Sequence, residues 1–553
     1  MTTSPGTAST RAPRLVAFIA ALLAVTLIVS TYHVFDQTED EAAHIGPGME
    51  WVASHSYTLD LLNAPFARAV VALGPFLLGG RPHHIRDDPS AEGNAILSSG
   101  NYDALLTSAR LGTLLFFLFA LYLVWSRARR WLGEWGGAVA LALFCTCEPV
   151  LGHSSVATTD IAMMTMFFWT LDRLWTLTTD PSWRNGLWAG LAAGLALASK
   201  QSAGPFIVAA VILVFAALAM QRLRDVAVPQ WTARIFAPRS VVPLFGLSLF
   251  ILWSFYFFQV GAVFPPGSRD RKTDRKTTSS FLERHHIPER PVFAVLDHVP
   301  AYGYFQGMRA VRAQNHVSKP SYFLGHINQR GSHIFYTVLL LIKTPIPFLL
   351  LGLAGVLLAL QRLWHRDAGY HVLLLCGAAT PYLVASMAHI NMGLRHVLSV
   401  YPFLALLGAS AVLVAWKKGP AFRALVTGLL AWQIIACLVA WPDYLAYFNE
   451  TAASHADYFV VDSDVDWGQD GKRLSQQLNR LQADHVWIAF FGSEDLHRLP
   501  MPSWQVLPPG RPETGWIAVS ELLLKRDPED YSWLAPYKPV AMAGKSIRIY
   551  RLP

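Results

Sequence analysis

The chain of 553 residues is 53% hydrophobic and only 15% charged, and its mean hydropathy is +0.33, whereas soluble proteins are about 25% charged. This composition excludes an ordinary soluble enzyme, a collagen, a disulfide scaffold and a disordered tail. The net charge of +8, from 45 basic and 37 acidic residues, suits an anionic lipid surface or substrate, but no nucleic-acid motif accompanies it. Apolar runs fill most of residues 1–441, which predicts one large membrane domain there and a separate appendage after it.

The first apolar run extends from Leu15 to about Phe35 and follows two arginines. It is too long for the apolar region of a signal peptide and has no small-residue cleavage site, so it is interpreted as a retained signal-anchor helix. Stretches of about 20 apolar residues predict eleven transmembrane helices in all. The predicted spans are 15–35, 106–125, 135–151, 159–178, 186–200, 203–221, 241–262, 344–361, 371–389, 396–416 and 422–441. Residues 334–343 are expected to form an interfacial helix on the outer surface.

The distribution of basic residues predicts the orientation, because arginine and lysine collect in short cytoplasmic loops. Sixteen of them fall in the segments that become cytoplasmic if the N-terminus is cytoplasmic, against two in the short outer turns. The sixteen are Arg11, Arg14, Arg127, Arg129, Arg130, Arg173, Arg184, Arg222, Arg224, Arg234, Arg239, Arg362, Arg366, Lys417, Lys418 and Arg423, and the two are Lys200 and Arg395. Loops 36–103 and 263–333 and everything after Trp441 then lie outside. Each loop is expected to fold back on the membrane rather than form a domain of its own.

The tail, residues 451–553, differs from the rest because short apolar runs alternate with polar stretches. The runs have the length of buried strands and predict a small α/β domain. The predicted strands are Tyr458–Val461, Val486–Phe491, Trp516–Val519 and Ser546–Tyr550, and the predicted helix is Gln469–Leu481.

Acidic residues at the outer face are the first candidates for chemistry, since ionisable groups at a membrane edge are costly. Asp40 and Glu41 follow the first span, where a carboxylate could act as a general base; a solvated helix start is the alternative. Asp160 lies at the outer lip of another span with no cation near it in the sequence. Two acidic sites could share a divalent metal. Glu41 and His44 also have the i, i+3 spacing of a ligand pair, although coincidence explains one such pair as well.

Basic residues at the outer face are candidates for binding a phosphate. Lys200 lies in a turn between two spans, and either its ammonium extends to the interface or it holds a phosphate. The lack of a carboxylate nearby in the sequence favours the phosphate. Arg395 and His396 allow the same two interpretations, and Lys343 is a weaker third case. The basic loop Ser268–Lys276 is either a solvated loop or a surface that attracts an anionic acceptor or lipid headgroups.

The tail also contains an acidic segment, Asp462–Asp470, with the pattern D-x-D-x-D. It does not have the spacing of a calcium-binding EF-hand loop, because the required glycine and glutamate are missing. Capping of the following helix by an aspartate is the favoured interpretation. Ligand binding at the carboxyl end of a strand is the alternative.

Taken in order, these landmarks resemble the GT-C glycosyltransferases. More narrowly, they are similar to bacterial membrane proteins of glycosyltransferase family 39, which are related to protein O-mannosyltransferases and lipid A aminoarabinose transferases. The resemblance covers roughly residues 15–441. It is carried by Asp40-Glu41-x-x-His44, Ala157-Thr158-Thr159-Asp160, Ala198-Ser199-Lys200 and Gly393-x-Arg395-His396.

The resemblance implies a multi-pass protein of a bacterial inner or plasma membrane that transfers a sugar from a polyprenyl phosphate, outside the cytoplasm and with inversion. Asp40 would be the base, and Glu41 and Asp160 would position hydroxyls. A divalent metal (Mg, Mn or Zn) at Asp40, Asp160 and His44 is one form of this site. Lys200, Arg395 and His396 would hold the donor phosphate.

The acceptor implied is a lipid, a glycan or a protein. Protein is the least favoured of these, because the chain has no β-trefoil outer domain, and the tail is then expected to select the acceptor. The alternative function is a transporter or flippase of lipid-linked sugars, which would be expected to show internal repeats; the sequence shows no convincing repeat. A signalling or assembly scaffold would leave the charged outer residues unexplained.

Overall fold

The computed structural model describes residues 10–223, 238–264, 269–317, 320–364 and 369–553. Its α-helices are α1 (Arg11–Ser30), α2 (Glu39–Ser54), α3 (Pro65–Leu77), α4 (Pro89–Ser98), α5 (Tyr102–Cys145), α6 (Glu148–Ser154), α7 (Asp160–Thr179), α8 (Trp183–Ser199), α9 (Ala203–Leu223), α10 (Pro238–Phe255), α11 (Arg269–Arg284), α12 (Glu289–Leu296), α13 (Tyr302–Val317), α14 (Phe335–Lys343), α15 (Ile346–Trp364), α16 (Gly369–Ser386), α17 (Tyr401–Lys417), α18 (Pro420–Ala440), α19 (Ala456–Phe459), α20 (Gly471–Arg480), α21 (Glu521–Arg526) and α22 (Pro528–Tyr531). Its strands are β1 (Val260–Gly261), β2 (Val299–Pro300), β3 (Ser321–Phe323), β4 (His326–Asn328), β5 (His485–Ala489), β6 (Ser503–Val506), β7 (Gly515–Ser520), β8 (Ala541–Ala543) and β9 (Ile547–Leu552). Of the basic residues used to predict orientation, Arg224, Arg234 and Arg366 lie outside the described residues.

The described chain is mostly helical, and eight of its helices are long and apolar enough to cross a membrane. One of them, α5, has 44 residues and departs from helical geometry at Gly133 (φ 82°). At 1.5 Å per residue it is about twice as long as a hydrocarbon core is thick, so it accounts for the predicted spans 106–125 and 135–151. The remaining predicted spans coincide with α1, α7–α10 and α15–α18. The predicted fold class, a mainly α multi-pass membrane protein, is confirmed.

Small residues let α8 and α10 pack closely. Gly186, Gly190 and Gly194 form a stripe at intervals of four residues along α8. A Cβ atom at Gly186 would come within 2.6 Å of the Ser240 carbonyl oxygen, and one at Gly190 within 2.7 Å of the Leu244 carbonyl oxygen. Such stripes are a common basis of helix association in lipid, where no hydrophobic drive acts between helices. The backbone of α8, and with it the turn that follows Ser199, is therefore fixed against α10.

The two long loops and the tail lie at the same end of the helix bundle. In the first loop, α2 packs on α3 and α4, and α3 packs on α5, so this loop forms a layer against the helix bundle. The second loop contributes α11–α13, strand β2, which pairs with β1 just before the loop, and the hairpin β3–β4. Helix α14 (Phe335–Lys343) coincides with the predicted interfacial helix.

The tail forms a small α/β domain, as predicted, around a five-stranded sheet of order β6-β5-β7-β9-β8. Strands β5, β6 and β7 are parallel, whereas β9 is antiparallel to β7 and β8. Helix α20 covers one face with Leu474 and Leu478, both fully buried. Strands β6 and β8 lie where the sequence predicts none.

The predicted strand Tyr458–Val461 is wrong. Residues 456–459 form the short helix α19, and only Val460 makes an isolated bridge, to Phe323. The amides of Leu324 and Gly325 donate to the carbonyl oxygens of Phe459 and Tyr458 at 2.9 Å each. This apolar run therefore docks the tail onto the hairpin β3–β4 and does not join the sheet.

Asp36 lies at the junction between α1 and the tail domain. Its amide donates to the Gln469 carbonyl oxygen at 3.1 Å. Its side chain is fully buried, and the Lys472 ammonium is 3.8 Å away. Burial, together with the neighbouring Glu494 carboxylate, raises the pKa of Asp36 to about 7.

This junction predicts a dependence of stability on pH. The unfolded pKa of an aspartate is about 3.9, so the folded state binds the Asp36 proton more tightly. The resulting stabilisation is complete below about pH 4 and is lost as the pH rises through 7. We expect the wild type to lose about 1.4 kcal/mol between pH 6 and 8 through this group, and Asp36→Asn to lose markedly less. Thermal unfolding in detergent measures both. Asp180→Asn, at an exposed carboxylate on a different loop, should keep the wild-type slope, and a wild-type slope in Asp36→Asn would contradict the assignment.

Candidate active site

A cavity of about 1520 Å³ opens where the two loops and the tail meet at the end of the bundle. It lies between α2, the start of α7, the turn from α8 to α9, α13, residues 394–400 and the tail. Six of the seven residues predicted from the sequence line it: Asp40, His44, Asp160, Lys200, Arg395 and His396. The four landmarks therefore belong to one site, although up to 356 residues separate them.

Asp40 is the most accessible of the predicted carboxylates, with 32% of its side chain exposed. It is the second residue of α2, and its carboxylate forms an ion pair with the Arg395 guanidinium. Burial alone would raise the pKa of Asp40, but the positive charge of Arg395 and the hydrogen bond that it donates outweigh burial and hold the pKa below its usual range. Asp40 is therefore an ionised carboxylate that faces the cavity.

Asp160 and Lys200 form an ion pair, with the Lys200 ammonium 2.5 Å from Oδ1 of Asp160. Neither residue has an oppositely charged neighbour in the sequence, but in the fold each is the other's partner, so the absence of a nearby carboxylate no longer favours phosphate binding by Lys200. The pair was hidden because α7 and α8 are antiparallel neighbours, so that the first residue of α7 and the residue after α8 meet at the same end. The Asp160 side chain is only 2% exposed and that of Lys200 18%.

Arg395 belongs to a 3-10 helix, Leu394–Val400, that leads into α17. Gly393 precedes it with φ at 113°, a conformation that favours glycine. The Arg395 guanidinium lies 4.5 Å from the centroid of the Trp467 ring, so it is held between an aromatic face and the Asp40 carboxylate. Within the described part of the chain, Arg395 Nε and His396 Nε2 are buried without a hydrogen-bond partner.

His44 is a neutral imidazole. Its Nδ1 accepts a hydrogen bond from Nε of Arg68 at 3.0 Å, which places its own proton on Nε2. Burial and the Arg68 charge lower the pKa of His44 to about 3. Arg68 is itself held by Asp60 and the Tyr57 hydroxyl. His44 therefore offers a donor, rather than a charge, to whatever binds beside Asp40.

Glu41 does not line the cavity, which disagrees with its predicted catalytic role. It is fully buried, and its oxygens accept from Nε and Nη2 of Arg110 at 2.8 and 2.9 Å. They also accept from the amides of Thr38 and Ala157, both at 2.7 Å. The bond to Thr38 forms half of a capping box, and the spacing Thr38-x-x-Glu41 is the sequence signal that could have identified this role. Glu41 joins α2 to α5 and to the loop before Asp160.

The Glu41 ion pair is expected to contribute strongly to stability. Glu41→Gln would leave the Arg110 guanidinium, only 1% exposed, without its counter-charge, and breaking a buried pair in this way costs about 3–5 kcal/mol. Thermal unfolding of the detergent-purified variant measures the loss. Glu134→Gln is the matched control, because Glu134 pairs with arginines on the surface and should change stability by less than about 1 kcal/mol. Equal effects of the two variants would contradict a structural role for Glu41.

The predicted metal ligands Asp40, Asp160 and His44 share the cavity, but they do not fit a metal ion. Each carboxylate already has a cationic partner, and His44 Nδ1 is engaged by Arg68. Within the ranges that the structure describes, no group of three or more His, Cys, Asp or Glu residues is placed to hold a metal.

Lys343 is not placed to bind a phosphate. It is buried, and its ammonium donates to the carbonyl oxygens of Leu445 and Asp464 at 2.7 and 2.6 Å.

In the predicted basic loop, Ser268 lies outside the described residues. Arg275, which is described, pairs with Asp297 at 3.0 Å.

The acidic segment Asp462–Asp470 contributes to the lining of the site, although the sequence favoured helix capping and kept ligand binding only as the alternative. Asp462 and Trp467 line the cavity. The predicted capping is not observed, because the Asp470 side chain binds Arg473 and the Ser546 hydroxyl rather than the amides of α20. The D-x-D-x-D pattern was the only signal for this segment, and its role depends on contacts with residues far away in the chain.

Comparisons with known proteins agree with the resemblance seen in the sequence. Residues 102–238 match the family model described as dolichyl-phosphate-mannose-protein mannosyltransferase, and this segment contains Asp160 and Lys200. No protein with curated annotation matches the chain.

Several solved structures overlap with most of the chain. ArnT from Cupriavidus metallidurans in the apo state is 12% identical over 96% of this chain and 97% of ArnT, with a TM-score of 0.46. The same protein bound to undecaprenyl phosphate is 13% identical over the same shares, with a TM-score of 0.42. The archaeal oligosaccharyltransferase AglB from Archaeoglobus fulgidus is 12% identical over 92% of this chain and 69% of AglB, with a TM-score of 0.44. For residues 102–238, the family match confirms the predicted resemblance to membrane glycosyltransferases of the protein O-mannosyltransferase type.

Proposed function

We propose that the chain is a membrane glycosyltransferase that moves a sugar from a polyprenyl phosphate to an extracytoplasmic acceptor. The observation that carries this proposal is an ionised carboxylate, Asp40, in the same cavity as two cations, Lys200 and Arg395. Base and cations together are what transfer from a phosphate ester requires. The family match supports the same reaction class, since its description names a lipid-phosphate sugar as donor.

In this reaction, Asp40 takes the proton of an acceptor hydroxyl as its oxygen attacks the anomeric carbon. The bond between that carbon and the phosphate oxygen breaks, and the phosphate leaves with the electron pair. Lys200 and Arg395 stabilise the charge that develops on the phosphate. Attack opposite to the leaving group inverts the anomeric centre. When Arg395 binds the developing phosphate charge, the ion pair between Arg395 and Asp40 weakens. The Asp40 carboxylate then becomes a stronger base.

The lining of the cavity suits both substrates. Met163, Phe206 and Val384, on α7, α9 and α16, supply apolar surface for an isoprenoid chain, and α13 adds the guanidinium groups of Arg309 and Arg312. The tail contributes Phe491 and residues 526–529, which we assign to the acceptor. The basic residues predict a cytoplasmic N-terminus and a tail outside, and the family resemblance implies that the membrane is a bacterial inner or plasma membrane.

The test is transfer of labelled sugar from purified polyprenyl-phosphate hexoses or pentoses to membrane extracts by the purified protein. Wild type and Asp40→Asn are compared, each with and without EDTA, so that a metal requirement is measured directly. Product formed by the wild type alone supports the proposal. No product from any donor, together with movement of the labelled lipid across vesicles that contain the protein, would favour a flippase.

A further inference from the structure

We propose that the segment Asp462–Gln469 of the C-terminal domain, called here the clamp loop, positions Arg395 and Asp40 against each other, with Trp467 as its central positioning residue. The inference rests on the proposed function and extends the machinery of that site into the tail domain. The sequence resemblance covered only residues 15–441 and left this segment without a role.

On one side, the clamp loop fixes the backbone on which Arg395 stands. The Leu394 amide donates to Oδ1 of Asp464 at 3.2 Å, and the Ser463 hydroxyl donates to the Met392 carbonyl oxygen at 2.7 Å. At Gly393, between these two bonds, a Cβ atom would overlap the Ser463 hydroxyl. The segment from Met392 to Leu394 therefore lies directly on the loop.

The same loop fixes the Arg395 side chain. Trp467 is only 2% exposed, and the guanidinium lies over its ring at 4.5 Å. A guanidinium is attracted electrostatically to the face of an indole. The Asp40 carboxylate holds the guanidinium from the other side. Without the Trp467 ring, the Arg395 side chain would be free to leave its present position together with that carboxylate.

On the other side, the clamp loop holds the start of α2. The Glu39 amide donates to the Trp467 carbonyl oxygen at 2.8 Å, and the Asp36 amide donates to that of Gln469 at 3.1 Å. The first amides of a helix have no partner within the helix, and here the loop supplies the partner for Glu39. Asp40 is the next residue, so one short segment anchors both members of the Asp40–Arg395 pair.

The clamp loop is itself anchored to the rest of the protein. The Lys343 ammonium donates to the Asp464 carbonyl oxygen at 2.6 Å. The Asp466 carboxylate accepts from the amides of Gly468 and Leu522 at 3.2 and 3.1 Å. Leu522 is the second residue of α21, which begins directly after strand β7, so the loop connects the sheet of the tail domain to the cavity. Oδ1 of Asp464 and both carboxylate oxygens of Asp466 therefore serve as hydrogen-bond acceptors within the fold.

The experiment compares Trp467→Leu, which removes the ring, with Trp467→Phe, which keeps an aromatic face. Trp504→Leu is the matched control, because Trp504 lies on β6 of the same domain and does not line the cavity. Steady-state transfer gives kcat and KM for the donor. Hydrogen exchange of the full-length protein in detergent, followed in peptides that cover residues 36–42 and 392–397, reports the anchoring without any need for activity.

We expect Trp467→Leu to lower kcat about 100-fold, the loss that a displacement of about 1 Å in a catalytic group can cause, and to speed exchange in both peptides. Trp467→Phe should recover most of kcat, and Trp504→Leu should change neither readout. If Trp467→Leu does not fold, Ser463→Ala replaces it as a milder truncation. We expect Ser463→Ala to speed exchange in residues 392–397.

Unchanged exchange in both peptides, or equal losses of kcat in Trp467→Leu and Trp504→Leu, would overturn the inference. A wild type that transfers no sugar from any donor would instead contradict the proposed function. The exchange measurements would still decide whether the loop anchors the two segments.

Discussion

Asp40→Asn is expected to reduce sugar transfer by about 1000-fold, which is within the contribution of a general base. The amide keeps the shape of the side chain, and its oxygen can still accept from Arg395, so the fold should remain intact. What is lost is the negative charge that takes the proton of the acceptor hydroxyl. Initial rates with the labelled donor, together with the unfolding temperature of each protein, separate the chemical effect from an effect on folding.

The control for this variant is the same change at an exposed carboxylate. Asp103→Asn removes a surface charge that pairs with Lys472 and should keep transfer within about twofold of the wild type, since surface pairs contribute little. Asp40→Glu should recover part of the activity, because it restores a base at an altered distance. If Asp40→Asn retained a tenth or more of the wild-type rate, another residue would have to be the base.

Six residues that line the cavity could be selected from the sequence because ionisable residues near the ends of apolar spans are conspicuous. Asp160 begins α7, Lys200 follows α8, and Arg395 precedes α17. An ionisable residue at the edge of a long apolar run is conspicuous, and the alternation of helix direction assigns each such edge to one side of the membrane. Long apolar runs are equally conspicuous in the sequence, and the eleven predicted spans coincide with observed helices.

The partners of these residues could not be predicted in the same way. Asp160 meets Lys200, 40 positions away, and Arg395 meets Asp40, 355 positions away. These pairs depend on which helices are neighbours in the bundle, and hydropathy contains no information on that arrangement. Lys200 consequently looked like an unpaired cation, although its charge is shared with a buried carboxylate.

The clamp loop shows a second limit of the sequence. From the sequence, helix capping was the favoured interpretation of the alternating aspartates and ligand binding at the end of a strand was the alternative, and both concern structure local to the segment. The observed partners of Asp464 and Asp466 are the amide of Leu394 and that of Leu522, which lie on other segments of the chain. Only the folded arrangement shows that the tail domain reaches into the cavity and contacts the groups that carry out the proposed reaction.

Lys200→Met is expected to lower the stability of the protein and to weaken binding of the donor. The Asp160 side chain, 2% exposed, would lose its counter-charge at a cost of about 3 kcal/mol. In the double variant Lys200→Met with Asp160→Asn, the buried charge is also removed, so most of that stability should return. Unfolding temperatures of the two single variants and the double variant measure this compensation.

Measurements of donor binding distinguish two roles of Lys200, namely binding of the donor phosphate and neutralisation of Asp160 alone. Asp160→Asn keeps the ammonium and frees it from its carboxylate, so KM for the donor should fall or stay the same. The double variant lacks the ammonium, and we expect its KM to be about 100-fold above that of Asp160→Asn, corresponding to roughly 3 kcal/mol for a charge-assisted contact. If instead the two variants had equal KM values, Lys200 would serve only to balance the charge of Asp160, and the donor phosphate would be held by Arg395 and the guanidinium groups of α13.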